Sequence, residues 1–218
     1  MLVVFEKGER LRHIGHLDLM RTMQRALRRS DLPLQYSQGF NPHILLTFAA
    51  PLSVGISGLR EVMEVPLQGE LTEEAFLAQL SPALPTDIKC LSARAVPDTH
   101  PAPMALLRAA KYEAVLENGE ALLAAVPAFL DQKSIMATRK TKSGEKPCDI
   151  RPMIYELSAS GNTLSMTLAL CEEATCKPDL LLTALADFAG AEKPRARLRR
   201  LALLGRGFAA PFDPLETL

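Results

Sequence analysis

The period of the hydrophobic pattern alternates between two and 3.6 in an order that runs twice along the chain, and this most limits the folds open to it. A short apolar run opens it at "MLVVF" and reads as a strand over 1–7, continuing or turning through 11–15 to Gly15. Leu17, Met20, Met23 and Leu27 then recur at helical spacing, with Leu19 and Ala26 widening the arc, so a helix is expected over 16–30. Strands are expected at 34–37, 44–52, 60–67 and 87–96, and a helix at 72–84 with Thr72 as its cap and acids in its first turn. "PDTHPAPM", 97–104, holds three prolines in eight residues and reads as a linker. Beyond it the alternation restarts. Strands are expected at 110–117, 134–142, 149–160, 163–172 and 195–205, with helices at 119–131 and 177–190.

Each half thus follows roughly β-α-β-β-α-β, the order of a split βαβ, or ferredoxin-like, unit. The expected class is α+β: two tandem ferredoxin-like units with antiparallel sheets and helices on one face, spanning 1–97 and 105–218. A single α+β domain with one long sheet is the alternative. With 218 residues, 48% of them hydrophobic, either can bury a full core.

No apolar run is long enough for a membrane helix, and "MLVVFEKGER" lacks the features of a signal peptide, so a cytoplasmic protein with no membrane partner is expected. Cys90, Cys148, Cys171 and Cys176 form no Cys-x-x-Cys pair. Buried free thiols are expected of them, with no metal and no cofactor. The chain has no tryptophan and only 5% aromatics, a poor stacking platform, which argues against an aromatic single-strand binder. No phosphate-cradling loop, nucleophile elbow or zinc-protease motif occurs.

Lys+Arg and Asp+Glu balance at 25 each, yet the basic residues cluster. Residues 1–43 hold seven against four acids, 139–151 five against two, and 193–206 six against none. Arg21, Arg25, Arg28 and Arg29 fall on the arc of the first helix opposite its apolar face, and Asp18 is the only acid between His16 and Ser30. An ordinary solvated face mixes signs for i, i+4 support, and the planar guanidinium suits bidentate contact with phosphate. A solvated or internally paired stripe is the alternative. His13 and His16 flank Gly15 at the strand-to-helix junction, and His43 ends the "SQGFNPH" turn, where Gly39 permits positive φ and Pro42 biases Asn41 to extended backbone. These histidines are the candidate acid–base groups, with bracing of the turns as the alternative. In "TRKTKSGEKPCDIRP", Lys142–Pro147 reads as a basic hairpin tip, and Asp149 and Arg151 as strand residues on one face.

"HIGHLDLMRTMQRALRRSDLPLQYSQGFNPH", "PLSVGISG" with Glu61, and "CDIRP" together resemble the radical-SAM-linked family of bacterial proteins. The resemblance makes His16, Asp18, Arg21, Arg25, Arg28, Arg29, Ser37, Gly39, Phe40, Asn41, Pro42, His43, Glu61, Asp149 and Arg151 motif positions. Gly15 stands where the family pattern often has serine. Members occur beside or fused to a radical SAM protein, often near genes for RNA cleavage or ribosomal proteins, which implies a radical SAM partner and an RNA setting. The architecture alone is also similar to CRISPR RNA-processing endoribonucleases.

Three functions follow as expectations. The first is an accessory module of a radical SAM enzyme that contacts RNA or an RNA-linked substrate through Arg21, Arg25, Arg28, Arg29, Ser37, Gln38, Asn41 and His43. Arg139, Lys140 and Arg151 would form a second wall, and Asp18, Gly39, Phe40, Pro42, Glu61 and Asp149 would support the motif. The second is a metal-independent endoribonuclease using His13, His16 or His43. The third is a protein–protein adaptor without nucleic acid.

Overall fold

The computed structural model describes residues 1–141 and 144–205. Among them the chain is a mixed α+β protein with five helices and a mostly antiparallel multi-stranded sheet. It divides into two compact units, Met1–Leu107 with the end of the last strand from Ala202, and Arg108–Leu201. No helix among the described residues is long and apolar enough to cross a membrane.

The first unit runs β1 (Leu2–Lys7), α1 (His16–Arg28), β2 (Thr47–Phe48), β3 (Ile56–Glu64), α2 (Glu73–Leu80), β4 (Ile88–Arg94) and the short α3 (Pro103–Leu106). Its strands lie in the order β4-β1-β3, with β2 also paired to β3, and each of these pairings is antiparallel. Leu19, Met23, Ala26 and Leu27 of α1 are buried, as the helical period demands. They share one core with Val3 and Phe5 of β1, Met63 of β3, and Phe76 and Leu80 of α2. Thr72 Oγ1 accepts the Ala75 amide at 3.2 Å and starts α2, with Glu73 and Glu74 in the first turn.

Among the described residues of this unit, Lys7 and Glu61 are buried charged side chains. Lys7, at the end of β1, donates through Nζ to the carbonyls of Ile14 (3.1 Å) and Ile56 (3.3 Å). Lys7 pairs in register with Gly58, and the buried Glu61 side chain folds back over that glycine. A Cβ at Gly58 would lie 2.5 Å from Glu61 Oε1, so the carboxylate occupies space only a glycine leaves.

The second unit runs β5 (Ala109–Glu117), α4 (Glu120–Leu130), β6 (Met136–Thr141), β7 (Gly144–Asp149), β8 (Ile154–Ser160), β9 (Thr163–Ala169), α5 (Pro178–Ala189) and β10 (Arg195–Leu204), whose last residues group with the first unit. The order is β10-β5-β9-β8, while β6 and β7 form a separate two-stranded ribbon. Helices α4 and α5 pack together, with the rings of Phe129 and Phe188 edge to face at 5.5 Å. Proline opens α5 at its first position and Gly190 (φ 62°) closes it in the left-handed conformation.

Several sequence expectations are corrected. Residues 11–15 are not strand: a 3-10 turn over Glu9–Leu11 follows β1, with the Leu11 and Arg12 amides bonded to Gly8 and Glu9 carbonyls. The strand expected over 44–52 shrinks to Thr47–Phe48, plus an isolated Tyr36–Ile44 bridge. The strand expected over 149–160 is broken by a 3-10 turn, Arg151–Met153, with Pro152 inside it. Asp149 and Arg151 therefore do not share a strand face. Gly144–Pro147, expected at a hairpin tip, is strand paired with β6, and Lys142 and Ser143 lie outside the described residues. The 97–104 segment ends in α3. The tail from Arg206, the last residue of the third basic block, lies outside the described residues.

Gly58→Ala forces its methyl into the Glu61 carboxylate. It is expected to destabilise the protein by about 1–3 kcal/mol. Urea denaturation measures this against Gly15→Ala, whose Cβ would meet only ordinary neighbours at 3.8 Å and beyond.

Candidate functional site

The turn that carries His13 and Gly15 is held from beneath. Lys7 Nζ donates to the Ile14 carbonyl, and the Gly55 amide donates to the Arg12 carbonyl at 2.7 Å. A hydrogen-bonded chain leads outward from this base. The buried Ser57 hydroxyl donates to Glu9 Oε2 at 3.0 Å, Glu9 pairs with Arg12, and Arg12 Nε donates to His13 Nε2 at 3.1 Å. That last bond uses the Nε2 lone pair, so the exposed His13 ring carries its proton on Nδ1. His16 begins α1, and its ring stands edge-on to Phe48 with centroids 5.4 Å apart.

The arginine stripe is exposed along α1, but its members differ. Arg21 pairs with Asp18 at 3.0 Å. Arg29 donates to the Ala83 carbonyl at 2.7 Å, at the end of the segment after α2. Arg25 and Arg28 are exposed and make no ion pair or hydrogen bond to any described residue. Among the described residues they are the stripe's unpaired cations.

The "SQGFNPH" turn is a pinned hairpin. Ser37 and His43 are joined three ways: the Ser37 amide to the His43 carbonyl (2.9 Å), the His43 amide to Ser37 Oγ (3.1 Å), and Ser37 Oγ to His43 Nδ1 (2.8 Å). Below this neck the Leu45 amide bonds the Gln35 carbonyl, and Ile44 is buried in the core. Gly39 takes φ 124°, which a side chain would oppose. Gln38, Gly39, Phe40, Asn41 and Pro42 are all exposed at the tip, and Phe40 is 105% exposed.

The other polar block lies in the second unit and is largely consumed internally. Asp149 Oδ1 accepts the amides of Ile135 (2.8 Å) and Arg151 (2.9 Å). Those bonds, the Ile135 one foremost, hold its carboxyl below the ordinary carboxylate range. Arg151 Nε donates to the Leu130 carbonyl at 3.1 Å, at the C-terminus of α4, where a cation suits the helix dipole. Arg139 donates to the Thr175 carbonyl at 2.5 Å and lies 3.8 Å from Met153 Sδ. Lys140 sits opposite Glu145 in the ribbon, with its side chain outside the described residues. Asp149 and Arg151 thus fasten the base of the ribbon to α4, and Arg151, expected in the second anion-binding wall, directs Nε to the end of that helix.

Among the described residues no three His, Cys, Asp or Glu side chains converge in a way that could hold a metal ion. The four cysteines are free thiols, three half-buried and Cys176 buried, and burial pushes Cys90 and Cys176 up to about 12. Sequence reasoning missed Lys7, Ser57, Glu9 and Arg12. The Glu9–Arg12 spacing of three was available as a signal. The burial of Lys7 had none, because one of its partners is 49 residues away.

Helix α1 starts at Gly15 (φ −74°, ψ 168°) with no side-chain cap. The space around that glycine admits a side chain. Gly15→Ser is expected to add about 0.5–1 kcal/mol of stability, seen as a higher melting temperature. Because Asp149 titrates below its unfolded value, its stabilising effect is full above that unfolded value and fades as pH falls through the folded one. Asp149→Asn is expected to melt lower than wild type at pH 7, with the gap closing below about pH 4, followed by circular dichroism across pH.

No curated protein matches the chain. A family model described as an uncharacterized protein conserved in bacteria (DUF2344) matches residues 1–178, which takes in α1, the pinned hairpin and the Asp149–Arg151 clamp. The chain belongs to this conserved bacterial family.

Proposed function

We propose that the first unit is a non-catalytic recognition module that binds RNA or an RNA-linked substrate as an accessory of a radical SAM enzyme. The observation that carries the reading is the pair Arg25 and Arg28, exposed on one helix and without partners among the described residues. A charge held free of carboxylates is available for phosphate, and phosphate contact supplies most of the non-specific affinity for nucleic acid. The neutral net charge does not oppose this, because binding depends on local clustering. Binding is favoured over cleavage by the histidines themselves. His13 spends its Nε2 lone pair on Arg12, His43 joins its Nδ1 to Ser37, and His16 stands against Phe48. The radical SAM partner rests on the resemblance to the radical-SAM-linked family. Two tandem ferredoxin-like units are the scaffold we propose, supported by the orders β4-β1-β3-β2 and β10-β5-β9-β8.

The adaptor reading draws on a different observation. Leu17 and Val54, each 63% exposed, place apolar side chains near the Gly15 turn, where a protein partner would cover them.

Fluorescence anisotropy with a labelled RNA over a salt series decides between them. Wild type should bind at low salt and weaken steeply as salt rises. The Arg25→Ala/Arg28→Ala variant should weaken binding across sequences and reduce the salt slope by about one for each phosphate the two guanidiniums neutralise. RNA affinity that is absent, or unchanged by salt, sinks the reading. Retention of the host's radical SAM enzyme after nuclease treatment would then favour the adaptor.

A further inference from the structure

We propose that Phe40 is a stacking platform for one unpaired base, so that the ligand of this unit is single-stranded RNA rather than a duplex. The proposal rests on the RNA reading above and specifies its substrate class. Phe40 is fully exposed, so burial in its own chain gives it no role. Yet the backbone presenting it is fixed. The three Ser37–His43 bonds close the neck, Gly39 sets the tip at φ 124°, and buried Ile44 anchors the hairpin in the core. A ring presented on a fixed loop loses little further freedom on binding, which favours affinity by pre-organisation.

The surroundings of the ring select the partner. A protein anchor is normally set among near-neutral contacts that exclude water from it. At this tip the exposed polar neighbours along the chain are Gln38 and Asn41, beside Gly39 and Pro42, with the exposed His43 at the neck. Amides offer donors and acceptors to base edges. Ser37 Oγ accepts the His43 amide and shares a hydrogen bond with Nδ1, and His43 Nε2 makes no hydrogen bond to a described residue, which leaves it for a base edge. An aromatic face beside hydrogen-bonding edges is how splayed, unpaired bases are held. A paired base keeps its faces in the helical stack and cannot use the ring. The single ring at the tip offers a face to one base, with the phosphate contacts left to the arginines of α1.

The same absence makes the test direct, since Phe40→Trp places the sole tryptophan of the chain at the tip. Three probes are compared: a single-stranded oligoadenylate, a blunt RNA duplex of equal length, and heparin, a polyanion without bases. The single strand is expected to quench the indole fluorescence of the Phe40→Trp variant, and heparin is expected to bind without quenching it. Phe40→Ala should weaken the single strand about tenfold, leave heparin unchanged, and unfold at the wild-type temperature. Arg25→Ala/Arg28→Ala should weaken both. Unchanged single-strand affinity in Phe40→Ala, or a duplex bound as tightly as the single strand with the indole signal unmoved, overturns the stacking role and leaves the anion reading standing. No binding of any probe overturns both. If the indole then responds only to the host's radical SAM enzyme, the ring is a protein anchor and the proposal fails.

Discussion

The buried ammonium of Lys7 governs the first unit. An amine removed from water must find acceptors, and those of Lys7 include the carbonyls of Ile14 and Ile56. Charged hydrogen bonds of this kind are worth about 1.5–3 kcal/mol each. They tie the end of β1 to the turn before α1 and to the first residue of β3. The Gly55 amide and the Ser57 hydroxyl bind the same turn through Arg12 and Glu9. The exposed Arg21–Asp18 pair, worth about 1 kcal/mol at most, has no comparable hold. Buried polar contacts therefore decide where α1 begins, and the exposed ones decide only what charge it shows.

Arginine serves two ends in this chain, and composition cannot separate them. Arg139 and Arg151 spend their donors on backbone carbonyls of the second unit, and Arg29 does the same in the first. Arg25 and Arg28 spend theirs on no described residue. A block of basic residues along the sequence is thus a poor measure of available charge, because a carbonyl at a helix end can absorb a guanidinium as fully as a carboxylate can.

What was legible in the sequence follows from range. The apolar face of α1 and the Thr72 cap of α2 are local, and both stand where periodicity and capping chemistry place them, except that Leu17, expected on that face, is exposed. The hairpin at 37–43 announces itself through Gly39 and Pro42. The strand expected across Asp149–Ser160 fails for a reason that is also local: an aspartate accepting the amide two residues on, followed by a proline, makes a turn. The burial of Lys7 and Glu61, and the capture of Arg151 by Leu130, depend on pairings between distant segments that no periodicity encodes. The exposure of Phe40 is likewise invisible in advance, since an aromatic residue is expected inside.

The division of the chain has a consequence for how the protein comes into being. The first unit is left at Leu107 and met again at Ala202, within β10, whose earlier residues belong to the second unit. No single peptide bond separates the two. During synthesis the second unit is fully emerged before the first receives its final strand segment, Ala202–Leu204. The unit that carries the arginine helix and the pinned hairpin is therefore begun first, and it receives its last described residues only after the whole of the second.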